Sequence, residues 1–233
     1  MGVRLGRSMF AGTLGLLLGV PLAVYQGWLT VPDRWNPWAT LDIRETPGLF
    51  TGFKLWRLQG DPQRCAQALR TSPLSFSLVA DSVPSPGCPV HDGVRVKGSQ
   101  AAFSSSFLAT CPLAAAYALF EVHGLQPAAQ AIYGQPVVRV EHLGSFACRN
   151  IANSRWRSQH ASANALDIAA FRLRDGRRIS VARDWKGSGD AARFLRRVHD
   201  AACGPFNLTL GPDYNAAHRD HFHVDMGTLR MCR

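Results

Sequence analysis

Three histidines and two aspartates fall within eight positions in "HRDHFHVDMG", residues 218 to 227. The chain has only eight histidines, so this cluster is a candidate for chemistry. Read as a strand, "HFHVDM" alternates faces: His221, His223 and Asp225 share one side, Phe222 and Val224 the other. With the apolar pair in a core, two imidazoles stand side by side on a surface. A second cluster, "SQHASANALDIAAF", sets His160 in a loop and Asp167 between Leu166 and Ile168 on an apolar strand. A carboxylate there must be paired or bound to a cation, because burying it alone is too costly. On neighbouring strands the clusters would bring together His160, Asp167 and a histidine of the H-x-H pair. Two imidazoles and a carboxylate are a set that zinc takes in catalytic sites, with a fourth position left open. Each motif alone is a weak signal, since histidines on an exposed strand can simply be solvated. The combination is stronger.

Such side chains need a sheet to hold them. "PVVRVEHLG", "ALDIAAF", "RRISVA", "NLTLGP" and "HFHVDM" read as strands, the second and third joined by the turn "RLRDGR". Upstream, "SLVADSVPSPGC" and "GVRVKGS" read as further short strands. "DPQRCAQALRTS" predicts a short helix capped by Asp61 with Pro62 in its first turn. "CPLAAAYALFEVHGLQPAAQAIYG" reads as two helical pieces broken at Gly124 and Pro127. "DAARFLRRVHDAAC" predicts an amphipathic helix, with Phe194, Leu195, Val198 and Ala202 inward and Arg193, Arg196, Arg197 and Asp200 in water. Helices followed by successive strands predict an α+β fold: a small, largely antiparallel sheet with flanking helices. The expected organisation is an N-terminal segment over residues 1–30, a linker and small lobe over 31–110, and a site-bearing domain over 111–233.

A hydrophobic content of 46% in 233 residues excludes intrinsic disorder, and the net charge of +10 calls for an anionic neighbour. The N-terminus says which. Arg4 and Arg7 precede "MFAGTLGLLLGVPLAVY", an uncharged apolar run ending at Tyr25, with Trp28 suited to a membrane interface. Without a small-x-small cleavage site the run reads as a retained anchor rather than a signal peptide. Either way the remainder is expected outside the cytoplasm, in the periplasm or cell envelope, held to the inner membrane by the N-terminal helix. Cys65, Cys88, Cys111, Cys148, Cys203 and Cys232 include no C-x-x-C pair, so in an exported chain they read as three disulfides among 15 possible connectivities. Export argues against nucleic acid as the partner.

"SQHASANALDIAAF" resembles the S-x-H-x-x-G-x-A-x-D signature of the D-alanyl-D-alanine metallopeptidases. "HRDHFHVDMG" resembles the H-x-x-H-x-H of the penicillin-insensitive murein endopeptidases. From "RWNPW" through "EHLGSFACRN" to the last cluster, the chain resembles the bacterial extensin-like protein C-terminal family, which is grouped with those peptidases. The resemblance implies one zinc on a small antiparallel sheet and peptidoglycan peptide stems as substrate. It implies His160, Asp167 and His223 as zinc ligands, His221 as the catalytic histidine and His218 as a further active-site histidine. Arg149 loosely matches an arginine that holds a substrate carboxylate. Two departures stand out: Ala163 replaces the signature glycine, and Asp220 occupies the position where many carboxypeptidase relatives carry a glutamate base. Asp220 lies an odd number of residues from His223, so His221 is the expected base. Asp225 is expected beside the ligands rather than among them, and His142, Ser145, His91, His123 and His199 in structural roles. The alternative to a zinc peptidase is a non-catalytic metal-containing module that binds peptidoglycan or scaffolds the envelope.

Overall fold

The computed structural model describes residues 19–152 and 154–233. Most of the N-terminal apolar run, with Arg4 and Arg7, lies outside them. Residues 19–25 form a helical segment, and among the described residues no helix is long and apolar enough to cross a membrane.

Two short helices open the body, Thr51–Trp56 and Pro62–Arg70. The second starts as its sequence dictates: the Asp61 carboxylate accepts from the Arg64 N–H at 2.9 Å and Pro62 takes the first turn, where no N–H is needed. Six strands follow: β1 (Ser75–Val79), β2 (Ser82–Ser85), β3 (Cys88–Val90), β4 (Gly93–Gly98), β5 (Ala102–Phe103) and β6 (Phe107–Thr110). After a long central helix come β7 (Val137–Gly144), β8 (Ala165–Leu173), β9 (Arg178–Ser180), β10 (Leu208–Leu210), β11 (Phe222–Asp225) and β12 (Met231–Cys232). β1, β4 and β6 make a three-stranded sheet, and β2 and β3 pair separately.

The large sheet has seven strands in the order β12-β10-β11-β8-β7-β5, with β9 also on β8. It is larger than expected and not wholly antiparallel. β12 runs parallel to β10 and β5 parallel to β7, each a two-residue edge strand. The central pairings β7–β8 and β8–β11 are antiparallel, and these position the site.

The expected helix break at Gly124 and Pro127 does not occur. Cys111–Phe120 continues through a π-helical turn, Glu121–Leu125, into Gln126–Tyr133. The Gln126 N–H reaches back to the Glu121 carbonyl, so the widened turn absorbs the place where Pro127 cannot donate. Gly124 has another task. A Cβ there would lie 2.8 Å from the Ala201 Cβ, so its absence lets the helix Asp190–Ala202 pack close. That helix buries Phe194, Leu195, Val198 and Ala202 and exposes Arg193, Arg196, Arg197 and Asp200, as its pattern requires.

One apolar core joins these elements, running from Leu41 and Ile43 through the wholly buried Cys111–Phe120 helix to Phe222 and Val224 on β11. It crosses the expected boundary at residue 110 without interruption. Disulfides Cys65–Cys111 and Cys88–Cys148 bridge the same boundary, and Cys203–Cys232 ties the last helix to the C-terminus. No cysteine among the described residues is free.

Candidate metal centre

β8 and β11 lie side by side in a register that makes Asp167 and His223 direct cross-strand partners. Leu166, Ile168, Phe222 and Val224 fill the core beneath, so the intervening Asp167 and His223 are left on the opposite face. His160 arrives from a 3-10 turn, Gln159–Ser162, whose N-cap Ser158 accepts from the His160 N–H at 3.3 Å. The turn ends at Ala163 with φ +55°, the left-handed conformation that a glycine adopts freely. An L-residue pays about 1 to 2 kcal/mol there. The Ala163 methyl offsets some of this by packing, fully buried, with Val90 and Leu108.

Three atoms converge as a result. His160 Nε2 lies 3.2 Å from Asp167 Oδ1 and 3.2 Å from His223 Nδ1, and the last two are 2.9 Å apart. These three residues form a group able to hold a metal ion. The outer side of each ring decides what the inner nitrogens are. His160 Nδ1 faces the Ser145 carbonyl at 3.0 Å, which can only accept, so the ring proton sits there. His223 Nε2 donates to Asp225 Oδ2 at 3.1 Å, and Asp225 Oδ1 accepts from the Gly227 N–H at 2.8 Å. Neutral rings therefore aim bare nitrogen lone pairs at each other and at a carboxylate, an arrangement that calls for a cation. Zinc bonds of about 2.0 to 2.1 Å to a tetrahedron of ligands put those ligands about 3.3 Å apart, close to the spacing found. The residues fit zinc.

Without a cation, the charges reorganise around a proton. Burial opposes ionisation of Asp167, but hydrogen bonds with His160 and His223 outweigh it and hold the carboxyl well below the ordinary range. Burial also opposes protonation of His223, yet Asp167 and Asp225 on either side outweigh it and raise this histidine to about 9. The raised value means that the proton stabilises the metal-free fold fully below about 6.5 and that this contribution is lost as pH rises through about 9. The same proton occupies the nitrogen a metal needs. Zinc titrated at pH 7 into the metal-free chain is therefore expected to release about one proton from His223. Calorimetry in two buffers of different ionisation enthalpy measures it. Heats independent of the buffer would refute it.

Two more histidines border the triad. His221 Nε2 is 3.5 Å from Asp167 Oδ1, while its Nδ1 donates to Asp220 Oδ1 at 2.9 Å. Asp220 sits in the turn before β11, which begins only at Phe222, and its carboxylate folds onto its neighbour His221. The His218 ring lies 5.4 Å from the His221 ring and 5.7 Å from the His223 ring. Its Nδ1 is 2.8 Å from Asn215 Oδ1, an atom that also accepts from the Ala217 N–H, so His218 is the donor. Burial, with the neighbouring His223 and His221, pushes His218 down to about 4 and keeps it neutral. Arg149 is exposed and has no carboxylate within 4 Å among the described residues. It lies close enough for its charge to contribute to the lowering of His218.

The remaining candidates fall elsewhere. His142 packs against Phe103 and Phe107 and meets the Ser105 carbonyl, and His123 meets the Ile43 carbonyl. His199 lies against Trp185 and Phe222, and the exposed His91 pairs with Asp81. Sequence reading missed Asn215 and the carbonyl of Ser145. A single asparagine carries no spacing signal, and a backbone carbonyl carries none at all.

The family model described as Extensin-like protein C-terminus matches residues 63–233. The chain belongs to this family. No curated protein and no solved structure matches it. The matched extensin-like region contains all three disulfides, the converging triad and both bordering histidines, so the candidate centre lies wholly inside the family domain.

Proposed function

We propose that this extensin-like chain is a zinc-dependent peptidase that hydrolyses peptidoglycan stems or cross-links in the cell envelope. The resemblance of its two motifs to the D-alanyl-D-alanine metallopeptidases and murein endopeptidases suggests the substrate class. One observation carries the catalytic reading: beside the triad stand two histidines, each with Nδ1 hydrogen-bonded to a neighbouring side chain and Nε2 in no hydrogen bond among the described residues. A module that only holds metal needs the triad alone.

Bound zinc would polarise the scissile carbonyl and make an attacking water more acidic. The chain's own groups do the rest. His160 and His223, oriented by Ser145 and Asp225, and Asp167 would hold the ion. His221 gives its Nδ1 proton to the bond with Asp220, so its Nε2 can accept a proton from water. Asp220 is a positioning residue that fixes this tautomer. His218 donates from Nδ1 to Asn215, so when neutral its free nitrogen can only accept. That assigns it to orienting water rather than to donating towards an oxyanion. The exposed guanidinium of Arg149 would take a substrate carboxylate.

Incubating the purified chain with isolated wall fragments tests this reading. Peptide ends should appear, a chelator should stop their release, and added zinc should restore it. Binding to the fragments without any new ends would favour the scaffold alternative and overturn the peptidase.

A further inference from the structure

β7, β8 and β9 carry three arginines in one row. Arg139 is the direct cross-strand partner of Arg172, and Arg172 of Arg178. All three line one open groove with Glu141, while Val140, Phe171 and Ile179 point into the core. Neighbouring strands lie about 4.8 Å apart, and like charges directly opposite each other destabilise a sheet. Glu141 relieves two of them, at 3.3 Å from Arg172 and 2.7 Å from Arg178. Arg139 is exposed and forms no ion pair among the described residues. Cations outnumber the carboxylate three to one along this row.

The groove leads to the metal centre. Leu143 and Ala169 line its near end, and the next cross-strand pair along is Gly144 with Asp167. From Asp167 to Arg172 is five residues of strand, roughly 16 Å, which an extended peptide of similar length would span. The groove is recessed and holds about 480 Å³. A flat lipid surface would meet its rim, whereas an extended chain can enter it. Guanidinium forks match carboxylates in geometry as well as charge.

We infer that the Arg139–Arg172–Arg178 row is an anion subsite that takes the carboxylates of an acidic peptide laid along the sheet from the metal centre. The inference rests on the peptidase reading for its direction. It assigns the distal part of the substrate to a place separate from Arg149, at the far end of the groove.

Calorimetric binding of isolated wall peptides to the chelator-treated full chain tests it without turnover. The peptides are compared with the same peptides after amidation of their carboxyl groups. Amidation should weaken binding at least tenfold. Arg139→Gln should weaken binding of the native peptides by a similar factor and leave the amidated ones unchanged. Arg139 has no ion partner to lose, and circular dichroism checks that the variant is folded. Equal affinity for both peptide forms overturns the subsite, and so does an equal loss for both in the variant. It also fails if Arg139→Gln abolishes binding to anionic lipid vesicles and leaves peptide binding intact. Metal-dependent hydrolysis with no preference for free carboxylates overturns the subsite and leaves the peptidase standing. Carboxylate-dependent binding with no hydrolysis at any zinc load does the reverse.

Discussion

Alanine in place of His160, Asp167 or His223 is expected to strip the chain of most of its zinc. Each substitution removes one of three converging ligand atoms and leaves two. Asp167→Ala should be the most severe, because it also removes the negative charge that the ion neutralises. Affinity should fall in each variant by more than the roughly 10- to 100-fold that loss of an orienting partner costs. Asp225→Asn supplies that milder comparison, since it weakens the bond to His223 Nε2 without touching a ligand. Elemental analysis after dialysis reads the outcome, and competition with a chelator ranks the variants. Full zinc in all three alanine variants would sink the assignment.

The second large effect concerns proton transfer. His221→Ala should keep its zinc and lose at least about a hundredfold in rate on wall peptides, the usual scale for a general base. Asp220→Asn should keep an acceptor near His221 Nδ1 and lose about tenfold or less, in kcat rather than KM. Asp220→Ala should lose more, and Asp220→Glu should recover part of it, which a purely structural aspartate would not require. A dead Asp220→Asn enzyme beside a near-normal His221→Ala enzyme would reverse the two roles.

The sequence made some of this legible and hid the rest for definite reasons. Period-2 alternation placed Asp167 and His223 on one face because Leu166, Ile168, Phe222 and Val224 demand the core. The cap at Asp61 and the amphipathic helix Asp190–Ala202 follow from side-chain rules just as local. The π turn at Glu121–Leu125 was not legible, since proline signals a disturbed hydrogen-bond ladder but not how the chain repairs it. Edge strands β5 and β12, two residues each, are too short to show any period. Alternation does not govern Asp220, which sits in the turn before a strand rather than inside one. The single core across residue 110 depends on contacts far apart in sequence, and the choice among disulfide connectivities does too.

The disulfides have a consequence for the order of assembly. In thiolate zinc sites the metal and the oxidant compete for the same sulfurs, so a chain met first by one is closed to the other. Here every described cysteine is tied to another, and the converging triad offers only nitrogen and oxygen. Oxidation would therefore be independent of any metal that the triad binds. The chain can be stapled before any ion arrives, and a chelator can empty the site without exposing a thiol. On the proposed reading, loading would be a reversible step on a finished scaffold.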